Sequence, residues 1–381
     1  ALENLQDGGE DLFDQNMGIL NRSIERMKQL IEDLSDLSSI ETAATLKKEV
    51  DKLQKAKNKT NSSPDSTPVM KRAATIAFNK AQEADQESEK ADFTTKSIGL
   101  TVVIFSLLVY LFHYLFLTEI PNPIKDWVYP VIYSAGISLA FLIMTDKTLT
   151  SIERQRIYVM YIISFFVIFF WSAYEQAGSS LTFIADQQTD LNFFGIELPP
   201  SSVQNANSFF IILLAFPFSW FWIWMQKRGI EPNSPAKQAI GLMLLALGYL
   251  IIAIQVKDLG SQKLGVAWLF IMYLFHTMGE LCLSPIGLSL VAKLAPKRFS
   301  SLLMGVWFLA NAAGYALAGT LGALLPPVNA IASGQFPSFL GMEIKNLYDF
   351  FMLFVIMAGI ASVLLYILAS GPLKKMMHGI R

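Results

Sequence analysis

Two carboxylates lie where a chain of this composition should hold none. Glu175 falls in FFWSAYEQAGSSLTFIADQ and Glu280 in LFHTMGELCLSPIGLSLVAKLAP, both long apolar runs. A charge at bilayer depth is costly and usually marks function. Glu175 also suits an interfacial helix end. Glu280 has more than a turn of apolar sequence on each side, so that reading is weaker there. No Lys or Arg stands in the interior of an apolar run to pair with it; His276 is one helical turn away. An unpaired buried carboxylate protonates or recruits a cation. Glu280 therefore titrates, or meets a cation from outside these runs, or accepts a ligand ammonium. Pro285 follows it, between Ser284 and Gly287, and Pro217 interrupts the fourth apolar run. Proline frees a backbone carbonyl, tolerated at depth only against protein or a water-filled cavity. Ser284, Pro285 and Gly287 are thus candidates for a helix break or gate, with an ordinary kink as the plainer alternative. Ala310, Gly314, Ala318 and Gly322 recur every fourth residue and predict a close-packing helix face.

The elements that must hold these residues can be read from hydropathy. Of 381 residues, 53% are hydrophobic, but the charge is unevenly spread. Residues 1–97 carry 14 Lys/Arg and 18 Asp/Glu, leaving 29 charges for the other 284 residues. Apolar runs near 98–117, 126–144, 157–175, 205–225, 237–256, 265–292, 300–325 and 347–369 each approach the roughly 20 residues that span a bilayer. Every second connection is basic: Lys147, Arg154 and Arg156; Lys227, Arg228 and Lys237; Lys293, Lys297 and Arg298; then Lys374, Lys375 and Arg381. The positive-inside rule places these loops and both ends of the chain in the cytoplasm. Trp127, Tyr129, Trp220, Trp222 and Trp224 sit near span ends, as an aromatic belt would. In residues 1–96, Phe13, Met17, Leu20, Ile24, Met27, Ile31 and Leu34 follow a heptad seam, and Met70, Ala74, Ala77, Ala81, Ala84 and Ala91 repeat it. The expectation is an all-α, multi-pass membrane protein with four parts: a cytoplasmic helical hairpin, three-helix or coiled-coil segment at 1–96; a helix pair at 97–150; a six-helix bundle at 151–372; and a basic tail at 373–381. The net charge of −1 gives no global field for nucleic acid. His113, His276 and His378 are scattered and no HExxH occurs, so nothing suggests an enzyme or a metal site.

At this level the residues match a known pattern. FFWSAYEQAGSSLTFIAD (169–186) resembles the seventh-helix signature of the proton-dependent oligopeptide transporter family, a branch of the major facilitator superfamily. GELCLSPIGLSLVAKLAPKRF (279–299) resembles its tenth-helix motif and MGVWFLANAAGYALAG (304–319) its eleventh. The resemblance covers about residues 97–372. It implies that the last six spans are helices seven to twelve and that the first two are the extra pair found in bacterial members. It implies proton binding at Glu175, reception of a peptide amino terminus at Glu280, and pocket-facing roles for Trp171, Trp307, Asn207 and Asn311. It further implies small peptides as substrates, protons as the coupling ion, no other cofactor, and residence in the cytoplasmic membrane. The chain reads NANSFF where the family commonly has Asn followed by Pro, and the first-helix Glu-x-x-Glu-Arg motif falls in no apolar span. The six-helix half that would complete the site is therefore expected in the same polypeptide or in a partner chain. A different class of function is also open: a membrane anchor or assembly subunit whose heptad helices dock a partner.

Overall fold

The computed structural model of the chain describes Lys55, Asn58 and residues 91–116, 122–257, 259, 262–326, 336–339 and 341–380. The heptad segment expected over 1–96 lies almost wholly outside them.

Among the described residues, eight segments are long and apolar enough to cross a bilayer. Helix α1 is Thr95–Phe116. A five-residue π-turn, Ile124–Val128, leads into α2, Tyr129–Met144. Helix α3 is Ser151–Tyr174, followed by a 3-10 turn at Glu175–Gly178 and by α4, Ser180–Gln188. Then come α5 (Ser202–Lys227), α6 (Ser234–Lys257), α7 (Val266–Leu294), α8 (Ser300–Gly322) and α9 (Leu347–Ser370), with a short α10 at Pro372–Met376. The third span is longer than hydropathy suggested, because the chain continues past Glu175 to Gln188.

Six two-residue strands decorate the connections. β1 (Thr189–Asp190) pairs in parallel with β4 (Leu264–Gly265), joining the end of α4 to the start of α7. β2 (Asn192–Phe193) with β3 (Ile196–Glu197), and β5 (Ser338–Phe339) with β6 (Met342–Glu343), form antiparallel turns.

The residues cluster into two units. In the smaller, the described residues are Lys55, Asn58, 91–94, 144–155 and 296–299. Arg298 grips Glu153 with both guanidinium nitrogens, Nη1 to Oε1 at 2.8 Å and Nη2 to Oε2 at 2.7 Å. Asp146 accepts from the backbone of Asp92 and of Thr148, each at 2.7 Å.

The larger unit holds the spans. Its core is built on small residues that let helices touch. A Cβ on Gly241 would lie 2.7 Å from the Gly279 carbonyl, and one on Gly279 as close to the Gly241 carbonyl, so α6 and α7 meet backbone to backbone. Tyr249 of α6 stacks on Phe354 of α9 at 4.9 Å and donates to the Ala173 carbonyl at 2.6 Å. The small-residue stripe of α8 is a packing face, as its spacing predicts. Gly314 seats α8 on Trp171 and Ile168 of α3, and Gly322 lies against Gln176 and Ser179. Tyr129 and Tyr133 of α2 also reach α8, Tyr129 to the site of a Gly319 Cβ and Tyr133 to the Ala313 carbonyl at 3.2 Å. By contrast, none of the apolar window of α1 or α5 is buried within the chain. On α5, Ile212 and Phe216 are about four-fifths exposed, at 81% and 80%.

Candidate functional site

The break in the third span begins one residue before Glu175. Helix α3 ends at Tyr174, and Ser179, at φ −132° and ψ −96°, separates the 3-10 turn from α4. The carbonyl of Ala177, which has left the helical ladder, accepts from Thr182 Oγ1 at 2.7 Å and from Gln204 Nε2 of α5 at 2.8 Å. Such a break persists at depth only when its backbone groups find partners. Gln176, fully buried, fixes the turn from the other side. Its amide donates to the carbonyls of Ser172 and Ala318, each at 3.0 Å, and its oxygen accepts from Ser180 at 2.6 Å. Glu175 itself is half-buried at the point where the helix changes pitch.

Tyr174 points the other way. Its hydroxyl donates to Oε2 of Glu280, in the middle of α7. Asn207 of α5 donates to the same oxygen from Nδ2 at 3.5 Å, and its own oxygen accepts from Thr277 Oγ1 at 2.6 Å. Thr277 is fully buried one turn before Glu280 and lies 2.7 Å from the Tyr273 carbonyl. The structure thus brings together Glu280, Asn207 and the turn carrying Glu175, through Tyr174, which precedes Glu175 in the chain. Among the described residues, neither forms an ion pair with Lys or Arg.

Of the aromatic candidates, Trp171 adjoins this cluster through Tyr174, and Trp307 packs further along α7. Trp171 is buried edge-on to Tyr174 (5.3 Å between rings) and to Tyr315 (5.7 Å), and its indole N–H has no hydrogen-bond partner. Trp307 is buried against Gly287, and Asn311, one turn further along α8, carries an unbonded side-chain oxygen. Sequence reasoning passed over Tyr174, Thr277 and Gln176. Each was visible only as a polar atom in an apolar run, beside a carboxylate or one turn from it.

The expected break at Pro285 is absent: α7 runs unbroken from Val266 to Leu294 with Pro285 inside it. Proline removes one backbone bond, to the residue four earlier, without ending the helix. Leu281, whose carbonyl is released, lines with Pro285 a cavity of about 560 Å³ between α5, α7 and the start of α6. Lys237 stands in that cavity, bound to Glu231 at 2.5 Å and 4.7 Å above the Trp222 ring. Ser284 is half-buried, and Gly287 lies against the ring of Trp307.

The sequence profile of the POT family (PTR2) matches residues 122–337. The chain belongs to the POT family. A peptide transporter of Yersinia enterocolitica, YePEPT, is 37% identical over 195 residues, 50% of this chain and 38% of the relative. Dipeptide and tripeptide permease A of Yersinia pestis is 30% identical over 256 residues, 65% of this chain and 49% of the relative. Among solved structures, a POT peptide transporter in complex with sulfate aligns with a TM-score of 0.55 at 26% identity, covering 82% of this chain and 63% of that one. A POT family transporter in complex with a thioalcohol-conjugated peptide aligns with a TM-score of 0.57 at 27% identity, covering 72% and 53%. The POT chain described here thus spans about half the length of the curated relatives it matches, and those relatives are transporters, not enzymes. Its eight apolar helices make it a multi-pass membrane protein.

Proposed function

We propose that this POT chain supplies the C-terminal half of the transport site of a proton-coupled symporter for di- and tripeptides in the cytoplasmic membrane. A six-helix half, in the same polypeptide or in a partner, supplies the rest. Glu280 receives the peptide's ammonium, Glu175 carries the coupling proton, and Trp171, Trp307, Asn207 and Asn311 line the space for the peptide's backbone and side chains.

One observation carries this reading. The Glu280 carboxylate stands mid-span with only neutral donors on it, Tyr174 and Asn207. A half-buried carboxylate with no fixed cation on it favours a cationic ligand, because its field is screened less there than in bulk water. An ammonium meets that need and leaves when the peptide leaves. Glu175 adds a second carboxylate on the turn that follows Tyr174, the residue bonded to Glu280. A proton on one of two nearby carboxylates changes how strongly the other holds a cation, which is the thermodynamic requirement for coupling.

The test is made in the transport-competent assembly containing this chain. Glu280→Gln should weaken dipeptides with a free amino terminus far more than their N-acetylated counterparts in competition for uptake. Equal losses for the two ligands would refute the ammonium role.

A further inference from the structure

The two hydrogen bonds on Glu280 are unevenly placed. Both arrive at Oε2, one from Tyr174 and one from Asn207. Among the described residues no donor is bonded to Oε1, although Glu280 is only half-buried. Asn207 is itself held by Thr277: its oxygen lies 2.6 Å from Oγ1 while its amide nitrogen reaches Glu280 Oε2 at 3.5 Å. Tyr174 has still less freedom. Its ring lies against Phe170 (5.5 Å, nearly parallel) and edge-on to Trp171 (5.3 Å). Its backbone is the last residue of α3 before the 3-10 turn. The phenol is held by packing on two sides and by its own helix end, so its placement is preset rather than found on binding.

We propose that Tyr174 is a positioning residue that, together with Asn207 and its holder Thr277, clamps Oε2 of Glu280 and presents Oε1 to the incoming ammonium. This rests on the reading of Glu280 as the ammonium acceptor. The clamp does two things. It fixes the carboxylate rotamer, so that the carboxylate's ordering cost is met before the peptide arrives. It also connects the two carboxylates by covalent adjacency: Tyr174 and Glu175 are consecutive, so a change in the turn at Glu175 displaces the phenol and with it the carboxylate. The protonation state of one helix is thereby felt at the substrate contact of another through a single side chain.

The experiment is a double-mutant cycle in the transport-competent assembly. It reads the ratio of affinities for a free-amino dipeptide and its N-acetylated form. Tyr174→Phe keeps the ring and removes only the donor. It should lower that ratio about tenfold, the order expected for losing a hydrogen bond to a charged group. On a Glu280→Gln background the same change should have little further effect, since its target is gone. Thr277→Val, which keeps shape and releases the Asn207 amide, should lower the ratio in the same direction. Thermal stability is followed throughout, and if Tyr174→Phe does not accumulate, Thr277→Val carries the cycle alone. A Tyr174→Phe or Thr277→Val effect that is equal for both ligands, or that adds in full on top of Glu280→Gln, overturns the clamp and leaves the ammonium reading standing. If Glu280→Gln itself leaves the ratio unchanged, the ammonium reading fails and the clamp falls with it.

Discussion

Gly287 offers a sharp test of the packing that holds Trp307 in place. A Cβ built there would lie 2.2 Å from Cη2 and 2.5 Å from Cζ2 of Trp307. Carbon atoms in contact sit about 3.5 Å apart, so the first overlap is about 1.3 Å (3.5 − 2.2). No rotamer adjustment of a planar ring with only 3% of its surface exposed absorbs that. In Gly287→Ala either α7 and α8 separate locally or Trp307 leaves its seat. Overpacking of this kind costs about 1–3 kcal/mol, and the upper end applies because the clashing group is rigid. The variant should therefore melt several degrees lower in detergent, by about 2–4 °C per kcal/mol for a unit of this size. Adding Trp307→Phe, whose shorter ring withdraws from the overlap, should recover part of the loss, so the pair should be less than additive. The assay is the apparent Tm of the purified assembly for the two single variants and the double. A Gly287→Ala protein with an unchanged Tm, or a double variant as impaired as the sum of the singles, would show that the ring does not rest on Gly287.

Two further predictions concern charge. Glu175→Gln should abolish uptake driven by an acid-outside gradient while sparing peptide exchange at equal pH, because exchange needs the site but not the proton carrier; retained accumulation against a gradient would exclude Glu175 from coupling. Arg298→Met should destabilise the smaller unit by about 3 kcal/mol, because Glu153 would be left buried without its bidentate partner, both side chains being only 7% exposed. Adding Glu153→Gln should restore much of that, read as Tm and yield in membranes, and a double variant no better than the single would refute the pairing argument.

Hydropathy alone located the eight spans, because a spanning helix must be apolar over its length whatever it packs against. The same logic made Glu175 and Glu280 conspicuous. What it left dark depends on which helix faces which. Tyr174 reads as one more aromatic in FFWSAY, and nothing in the sequence says that its hydroxyl crosses to α7. Thr277 and Gln176 are small polar insertions that an apolar run tolerates, and their partners lie 70 and 142 residues away. The break was expected at Pro285 and is found at Glu175–Gly178. A lone proline removes a single bond and the helix continues. A turn whose freed carbonyl is met by Thr182 and Gln204 reroutes the backbone at little cost. Gly287 was noticed for its position beside Pro285, and its use became clear only with Trp307 placed on it.

The parallel pairing of Thr189–Asp190 with Leu264–Gly265 bears on how such a half could move. It fastens the end of the span bearing Glu175 to the beginning of the span bearing Glu280. Two levers pinned at one end can scissor at the other, but their pinned ends travel together. The end of α4 and the start of α7 are therefore held side by side by backbone hydrogen bonds that do not depend on side chains. Between that fastening and the Tyr174–Glu280 hydrogen bond, the two spans are tied at two levels, so neither carboxylate-bearing segment shifts along the other without breaking one of them.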